Sequence, residues 1–200
     1  MSDALFEAIE THNLERLAAA LDAGADPDAR SATIPAWRAL HAAIEELEDG
    51  GPIEALVLLL RAGAHPDAPE DADSPLLMAL FRGQPEAARL LLAAGADAAA
   101  IGSEGDSALR WVVEHGPRHL ARVLLLADAA SNIHSSGPPT GASALGLAAR
   151  ALDTEMIELL LRHGADPRAP DGDYQTPRDR LPPRDAVNAA RWDAAARLLD

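Results

Sequence analysis

The sequence contains no cysteine and no lysine, and aromatic residues make up only 3% of its 200 positions. The lack of cysteine excludes disulfides, thiol nucleophiles and cysteine metal sites. The lack of lysine excludes Schiff-base catalysis and the lysine of a phosphate-binding P-loop. No apolar run approaches the ~20 residues that cross a bilayer, and the start of the chain has no basic segment typical of a signal peptide. These absences predict a soluble, cytoplasmic protein.

The charge is strongly negative, because 32 acidic residues face 17 basic residues, all of them arginine, for a formal net charge of −15. Such a chain repels nucleic acid and anionic membranes and attracts basic proteins. The alternative is that the charge only keeps an alanine- and leucine-rich surface soluble. We therefore expect no nucleic-acid or membrane partner. The arginine-rich, lysine-free composition also favours a GC-rich bacterial genome.

Two phrases recur along the chain. Gly-Ala-Asp-Pro or a variant occurs at 24–27, 63–66, 95–98 and 164–167, with a degraded copy at 128–131. A leucine pair precedes the copies at 63–66, 95–98 and 164–167 by two residues. A Ser or Thr before Pro or Ala begins the second phrase at Ser74, Ser107, Ser143 and Thr176, and residues 38–43 are its counterpart in the first interval. Ser and Thr cap helix starts, whereas glycine ends helices. A period of about 33 residues predicts stacked two-helix repeats.

These phrases resemble the ankyrin repeat, in which a Thr-Pro-Leu-His-x-Ala helix start is paired with a Gly-Ala-Asp-Pro-Asn loop. The chain departs from that pattern at the histidine position, which holds His41 once and otherwise Leu77, Arg110, Gly146 and Asp179. The resemblance implies an all-α ankyrin-repeat solenoid of stacked helix-turn-helix units with extended loops or short hairpins. It implies one domain over 1–200, with an N-terminal cap at 3–24, repeats at about 38–63, 75–95, 108–128 and 144–164, and a C-terminal cap at 176–200.

Helices are expected near 3–11, 14–22, 38–48, 52–61, 75–82, 86–93, 108–115, 118–126, 144–151 and 154–162. Because Pro182 and Pro183 break the first helix of the last repeat, a helix from about 184 to 200 is expected to close the stack.

No pattern in the sequence indicates an active site. His115 and His119 have helical spacing, but Gly116-Pro117 separates them and no third metal ligand is apparent. The loop 135–143 has neither the lysine of a P-loop nor the Gly-x-Ser-x-Gly spacing of a nucleophile. We therefore predict a protein that is not an enzyme, with no catalytic residue, no metal and no cofactor.

Ankyrin-repeat proteins typically bind partners through loop tips and the exposed ends of first helices. Carrying those positions onto this chain predicts a partner-binding set of Trp37, Glu45, Glu46, Glu70, Asp71, Asp73, Phe81, Arg82, Glu104, Asp106, Glu114, His115, Arg150 and Tyr174. Trp37, Phe81 and Tyr174 stand where the repeat pattern requires no core residue, which favours interface anchors. In the alternative, Trp37 and Phe81 fold back onto the stack and cover alanine.

The sequence thus predicts a non-enzymatic protein–protein interaction module, monomeric by itself, that binds a basic protein through an acidic concave face and loop tips. The alternative is an immunity protein or antitoxin that neutralises a co-encoded bacterial toxin, since an acidic face fits a positively charged groove.

Overall fold

The computed structural model describes residues 2–34, 37–67, 73–117, 119, 121, 123–124, 129–137 and 141–200. The chain divides into two compact units, Met1–Asp97 and Ala98–Asp200. The regular elements of the described residues are helices, and pairing in the loops is limited to the single bridges Arg30–Arg38, Ile101–Ser107 and Ser136–Ser143. The predicted all-α class is therefore confirmed. A single domain over 1–200 stays a prediction.

The described residues of the first unit form three helix pairs. The helices are α1 (Ser2–Glu10), α2 (Leu14–Asp22), α3 (Ala39–Glu46), α4 (Glu54–Arg61), α5 (Pro75–Phe81) and α6 (Pro85–Ala93). The start of α5 is capped by serine, as predicted. Ser74 Oγ accepts a hydrogen bond from the Leu77 amide at 3.3 Å, and Pro75 occupies the first turn of the helix. At the other end, Gly63 follows α4 with φ +97°, a conformation that side chains with a Cβ resist.

The helices of the first unit form two rows. The first helices α1, α3 and α5 contact one another in order, and so do the second helices α2, α4 and α6. Leucines such as Leu17, Leu56 and Leu91 are fully buried between them, and each contributes about 1.5–3 kcal/mol by its removal from water. The loops are also joined, because Asp28 Oδ1 accepts from the His65 amide at 2.9 Å and Asp67 Oδ1 from the Asp97 amide at 2.8 Å.

The second unit contains α7 (Ala108–His115), a 3₁₀ turn (Ala129–Asn132), α8 (Ala144–Arg150), α9 (Thr154–Arg162) and α10 (Ala189–Leu198). Ser107 and Ser143 cap α7 and α8 through their side-chain oxygens. In this unit α8 contacts both α7 and α9, and α10 contacts α9. The predicted helix 118–126 lies largely outside the described residues, and the described positions 119, 121 and 123–124 are helical.

The closing helix begins at Ala189, five residues later than predicted. The reason is a turn in which Asp185 Oδ1 accepts from the amides of Val187 and Asn188, while Asn188 Oδ1 accepts from the Asp185 amide. Such local side-chain bonds compete with helix formation. Elsewhere the predicted bounds agree with the structure within two residues. The largest differences flank the turn after α3, where the Gly51 amide donates to Glu46 O at 2.7 Å and the helix ends before 48.

Candidate functional site

An open pocket of about 220 Å³ lies in the first unit. The first turn of α3 forms one side of it, and α5 with its flanking residues forms the other. We call it the Trp37 pocket, and its lining consists of Trp37, His41, Asp73, Met78, Phe81 and Arg82. Trp37 is half-buried and stacks on His41, with ring centroids 6.4 Å apart and planes inclined by 20°. Phe81 is 36% exposed at the end of α5. The rings of both residues thus reach solvent at one concave place.

His41 holds the floor of the pocket together. Its side chain is buried, Nδ1 accepts from the Arg38 amide at 3.1 Å, and Nε2 donates to the Asp73 carbonyl at 3.0 Å. Burial lowers the pKa of His41 below its ordinary value and outweighs the Asp73 hydrogen bond, which raises it. A neutral imidazole therefore joins α3 to the loop that precedes α5 and supports the Trp37 ring.

Acidic side chains at the end of α3 pair with neighbouring repeats. Arg82 lies 2.7 Å from Glu45 and 3.0 Å from Glu48, and His12 Nε2 lies 2.9 Å from Glu46 Oε2. Because these side chains are partly exposed, each pair contributes no more than about 1 kcal/mol. Three of the predicted partner-binding residues thus take part in contacts between repeats. Two carboxylates around one guanidinium still leave the edge of the pocket acidic.

The net charge is divided unequally between the units. Residues 1–97 contain 18 acidic residues and six arginines, which gives a formal charge of −12. Residues 98–200 contain 14 acidic residues and 11 arginines, which gives a formal charge of −3. The Trp37 pocket therefore lies in the unit that attracts basic partners more strongly.

In the second unit, Asp106 binds a buried arginine. Arg110 is 1% exposed, and its Nη1 donates to Asp106 Oδ1 at 2.7 Å. Burial raises the pKa of Asp106, and the charge of Arg110 opposes that effect. A Cβ at Gly137 would lie 2.5 Å from Arg110 Nη1, so only glycine fits there. The sequence signal for Arg110 was its place at the histidine position of the repeat, although its burial was not foreseen.

Two of the other predicted residues of the second unit, Arg150 and Glu114, form an ion pair. Arg150 Nη2 donates to Glu114 at 2.6 Å, and His115 lies against Trp111 with ring centroids 5.1 Å apart. Glu104 is exposed in the loop before α7. Tyr174, 89% exposed, lies at the tip of the loop 171–175. Glu70 and Asp71 lie outside the described residues.

The described residues also bear on two other classes of function, metal binding and membrane insertion. Among the described residues, no group of three or more His, Asp or Glu side chains is placed to hold a metal ion. Over the same part of the chain, no helix has the length and apolar character needed to span a bilayer.

Known proteins that are similar in sequence to this chain contain ankyrin repeats. A family model described as "Ankyrin repeats (3 copies)" matches residues 40–135 and 76–171. A putative ankyrin repeat-containing protein of Treponema pallidum (strain Nichols) is 36% identical over 119 residues, which are 58% of this chain and 39% of that protein. A BTB/POZ domain and ankyrin repeat-containing protein of Oryza sativa subsp. japonica is 39% identical over 74 residues, 37% of this chain and 15% of that protein. The chain thus spans less than half the length of these relatives.

Solved structures resemble the fold over nearly the whole chain. The crystal structure of an ankyrin repeat domain from Acinetobacter baumannii AYE has a TM-score of 0.76 and 27% identity, covering 98% of this chain and 95% of that chain. A chain from the complex of a predatory endopeptidase of Bdellovibrio bacteriovorus with an immunity protein has a TM-score of 0.71 and 24% identity, covering 98% and 96%. Because its identity to this chain is only 24%, the resemblance to the chain from Bdellovibrio bacteriovorus concerns the fold alone.

Proposed function

The chain belongs to the ankyrin repeat family, and from this premise we propose that it is a non-enzymatic module whose acidic first unit binds a basic protein. Members of the family are generally interaction modules without enzymatic activity. The observation that carries the proposal is the Trp37 pocket, where two aromatic rings reach solvent in a unit with a formal charge of −12. Nucleic acid and anionic membranes are unfavourable partners for the same charge.

The two kinds of side chain have different roles in this proposal. Trp37 and Phe81 provide apolar area, which a partner covers on contact and which therefore controls dissociation. Glu45 and Glu46 lie at the edge and act over a distance, so they control association. The pairing of Glu45 with Arg82 reduces this effect, because part of its charge is already neutralised within the chain.

The test begins with the tagged chain, first examined by sedimentation for the monomer we expect, and a lysate of the organism that encodes it. Capture by wild type is compared with capture by Trp37→Ala and Phe81→Ala. Val187→Ala is the matched control, because Val187 is 97% exposed and lies outside the pocket. A basic protein retained by wild type and control but lost from both pocket variants is the expected result. Equal capture by all four proteins excludes the pocket as the binding site.

Surface-plasmon kinetics with the purified partner then separates the roles. Truncation of either ring is expected to speed dissociation about 30-fold, which corresponds to about 2 kcal/mol. The double reversal Glu45→Arg, Glu46→Arg is expected to slow association at low salt and to lose that effect above physiological ionic strength. If association at low salt is unchanged, the acidic edge acts only in solubility.

A second candidate function is that of an immunity protein or antitoxin that neutralises a co-encoded bacterial toxin. The acidic first unit supports this role, because an acidic surface fits the positively charged groove of a toxin. It makes a distinct prediction, since a captured toxin would lose its activity at one equivalent of the chain. A captured protein that keeps its activity at saturation favours a scaffold role instead.

A further inference from the structure

Tyr174 occupies a positive-φ backbone conformation that two corresponding loops of the chain give to glycine. It lies two residues before Thr176 with φ +61°. The corresponding positions before the helix-capping Ser107 and Ser143 are Gly105, with φ +83°, and Gly141, with φ +63°. Positive φ suits glycine, and it is a costly conformation for a bulky side chain. Tyrosine therefore adds strain that glycine avoids in the two other loops.

The loop 171–175, which we call the Tyr174 tip, is held firmly in this conformation. Asp171 Oδ1 accepts from the amides of Asp173 at 2.9 Å and Gln175 at 3.2 Å, and the Asp171 amide donates to Gln175 O at 2.9 Å. Arg180 then fixes both carboxylates, with Nε donating to Asp171 Oδ2 at 2.8 Å and Nη2 to Asp173 Oδ2 at 2.7 Å. The surrounding bonds thus impose the strained backbone.

The Asp171 side chain is also held in its charged form. Burial raises the pKa of Asp171, but the bonds from Arg180 and from the amides of Asp173 and Gln175 lower it further, and the net pKa lies below the ordinary value. The Asp171 side chain is only 1% exposed. The carboxylate therefore stays charged at neutral pH, and the network that presents Tyr174 stays intact.

The ring of Tyr174 does not offset the strain by packing within the chain. The residue is 89% exposed, so its ring removes little apolar area from water. On grounds of folding alone, glycine is the better residue at position 174. A strained backbone that carries an outward aromatic side chain is typical of a contact site. An aromatic ring on a rigid loop also loses little conformational entropy on binding.

We propose that Tyr174 is an anchor for a protein partner, whose surface offers an apolar slot for the phenol ring bordered by basic side chains. The tip carries two carboxylates and one guanidinium and belongs to a unit of formal charge −3, so a basic border is the complementary one. The phenol hydroxyl supplies a hydrogen bond at the end of the slot. This contact belongs to the second unit and is independent of the Trp37 pocket.

Tyr174→Gly separates binding from folding. Because glycine relieves the positive φ, the variant is expected to melt at the wild-type temperature or a few degrees above it. It is also expected to bind its partner at least about tenfold more weakly. A clear fall in the melting temperature would mean that the ring supports the fold, and it would overturn the inference.

Binding is examined by capture from a lysate of the organism that encodes the chain, with quantitative mass spectrometry. The expected result is a basic protein that wild type and the exposed control Val187→Ala retain and Tyr174→Gly loses. The chain contains a single tyrosine, so a 3-fluorotyrosine-labelled sample gives one ¹⁹F resonance. That resonance is expected to shift or broaden when the purified captured protein is added.

The inference is overturned if Tyr174→Gly captures every protein at the wild-type level. It is also overturned if the ¹⁹F resonance is unmoved at saturation. Loss of capture by Trp37→Ala with normal capture by Tyr174→Gly leaves the proposed function standing and removes only this anchor. Loss of capture by Tyr174→Gly with normal capture by Trp37→Ala supports the Tyr174 anchor and removes the Trp37 pocket as the binding site. The two failures are therefore distinguishable.

Discussion

Removing the carboxylate of Asp106 is expected to destabilise the second unit more than replacing Arg110, the cation that it neutralises. Arg110 is 1% exposed, and its Nε and Nη2 are buried without a hydrogen bond to the residues that the structure describes. Its charged contact is the 2.7 Å bond to Asp106. The substitution Asp106→Ala would therefore leave a buried guanidinium without its counter-charge.

The magnitudes follow from this burial. Breaking a buried pair by removing one partner costs about 3–5 kcal/mol, and Asp106 at 19% side-chain exposure places this case near the lower end, about 3 kcal/mol. Replacing the cation by an apolar residue of similar volume removes the desolvation penalty as well. Arg110→Met leaves the Asp106 carboxylate without its cation, but that carboxylate is partly exposed, so the loss should be smaller than the loss of about 3 kcal/mol for Asp106→Ala. The double variant should recover most of the loss of Asp106→Ala.

Urea unfolding followed by tryptophan fluorescence measures these differences, and Trp111 lies in the same helix as Arg110. With an m-value of about 3 kcal/mol/M, a loss of 3 kcal/mol lowers the midpoint by about 1 M. Arg150→Ala is the control, because its pair with Glu114 is partly exposed and should contribute under about 1 kcal/mol. If Arg110→Met costs as much as Asp106→Ala, the guanidinium stabilises the fold and the reasoning is wrong.

Two further predictions concern pH and glycine. Burial lowers the pKa of His41 in the folded state, whereas in the unfolded state His41 has a pKa of about 6.5. Below that pH the unfolded state therefore binds more protons than the folded state. The contribution of His41 to the free energy of unfolding should be constant above about pH 6.5 and fall as the pH drops toward about 5.5. Urea midpoints at pH 7.5, 6.5 and 5.5 measure this, and an unchanged slope in His41→Gln would contradict the assignment. Gly141→Ala should cost about 2–3 kcal/mol, since its φ is +63° and a Cβ would lie 2.7 Å from the Asp173 carboxylate. Gly24→Ala, with φ +85° and open space, should cost only about 1 kcal/mol, and equal losses would show that the Asp173 contact is unimportant.

Local signals in the sequence were sufficient for most of the helices. Ser74, Ser107 and Ser143 cap helices that begin at the next residue. The glycines that follow the second helices, at positions 24, 63, 95 and 164, have positive φ. These features depend on a few neighbouring residues and recur in each repeat, so their prediction needs no tertiary information. The late start of α10 was missed because Asp185 and Asn188 form a side-chain turn, which competes with a helix that the same residues could begin.

The candidate site was less predictable, because it depends on contacts between repeats. Glu45 with Arg82 and Glu114 with Arg150 lie about one repeat apart, and their pairing requires the register of neighbouring helices. An acidic residue followed one repeat later by an arginine was the available signal. The burial of Arg110 could not be read from sequence, since a charged residue at a helix start is usually exposed. Tyr174 was identified as an anchor candidate, but its strain requires the backbone angle.

The unequal charge of the two units also affects how the molecule responds to a charged surface. With −12 of the formal −15 in residues 1–97, the first unit has the stronger negative field. A positively charged surface therefore attracts the first unit more strongly than the second before any contact forms. This attraction extends only over the Debye length, about 8–10 Å at physiological ionic strength, so it acts in the last steps of an encounter. A basic surface would thus be met first by the unit that holds the Trp37 pocket.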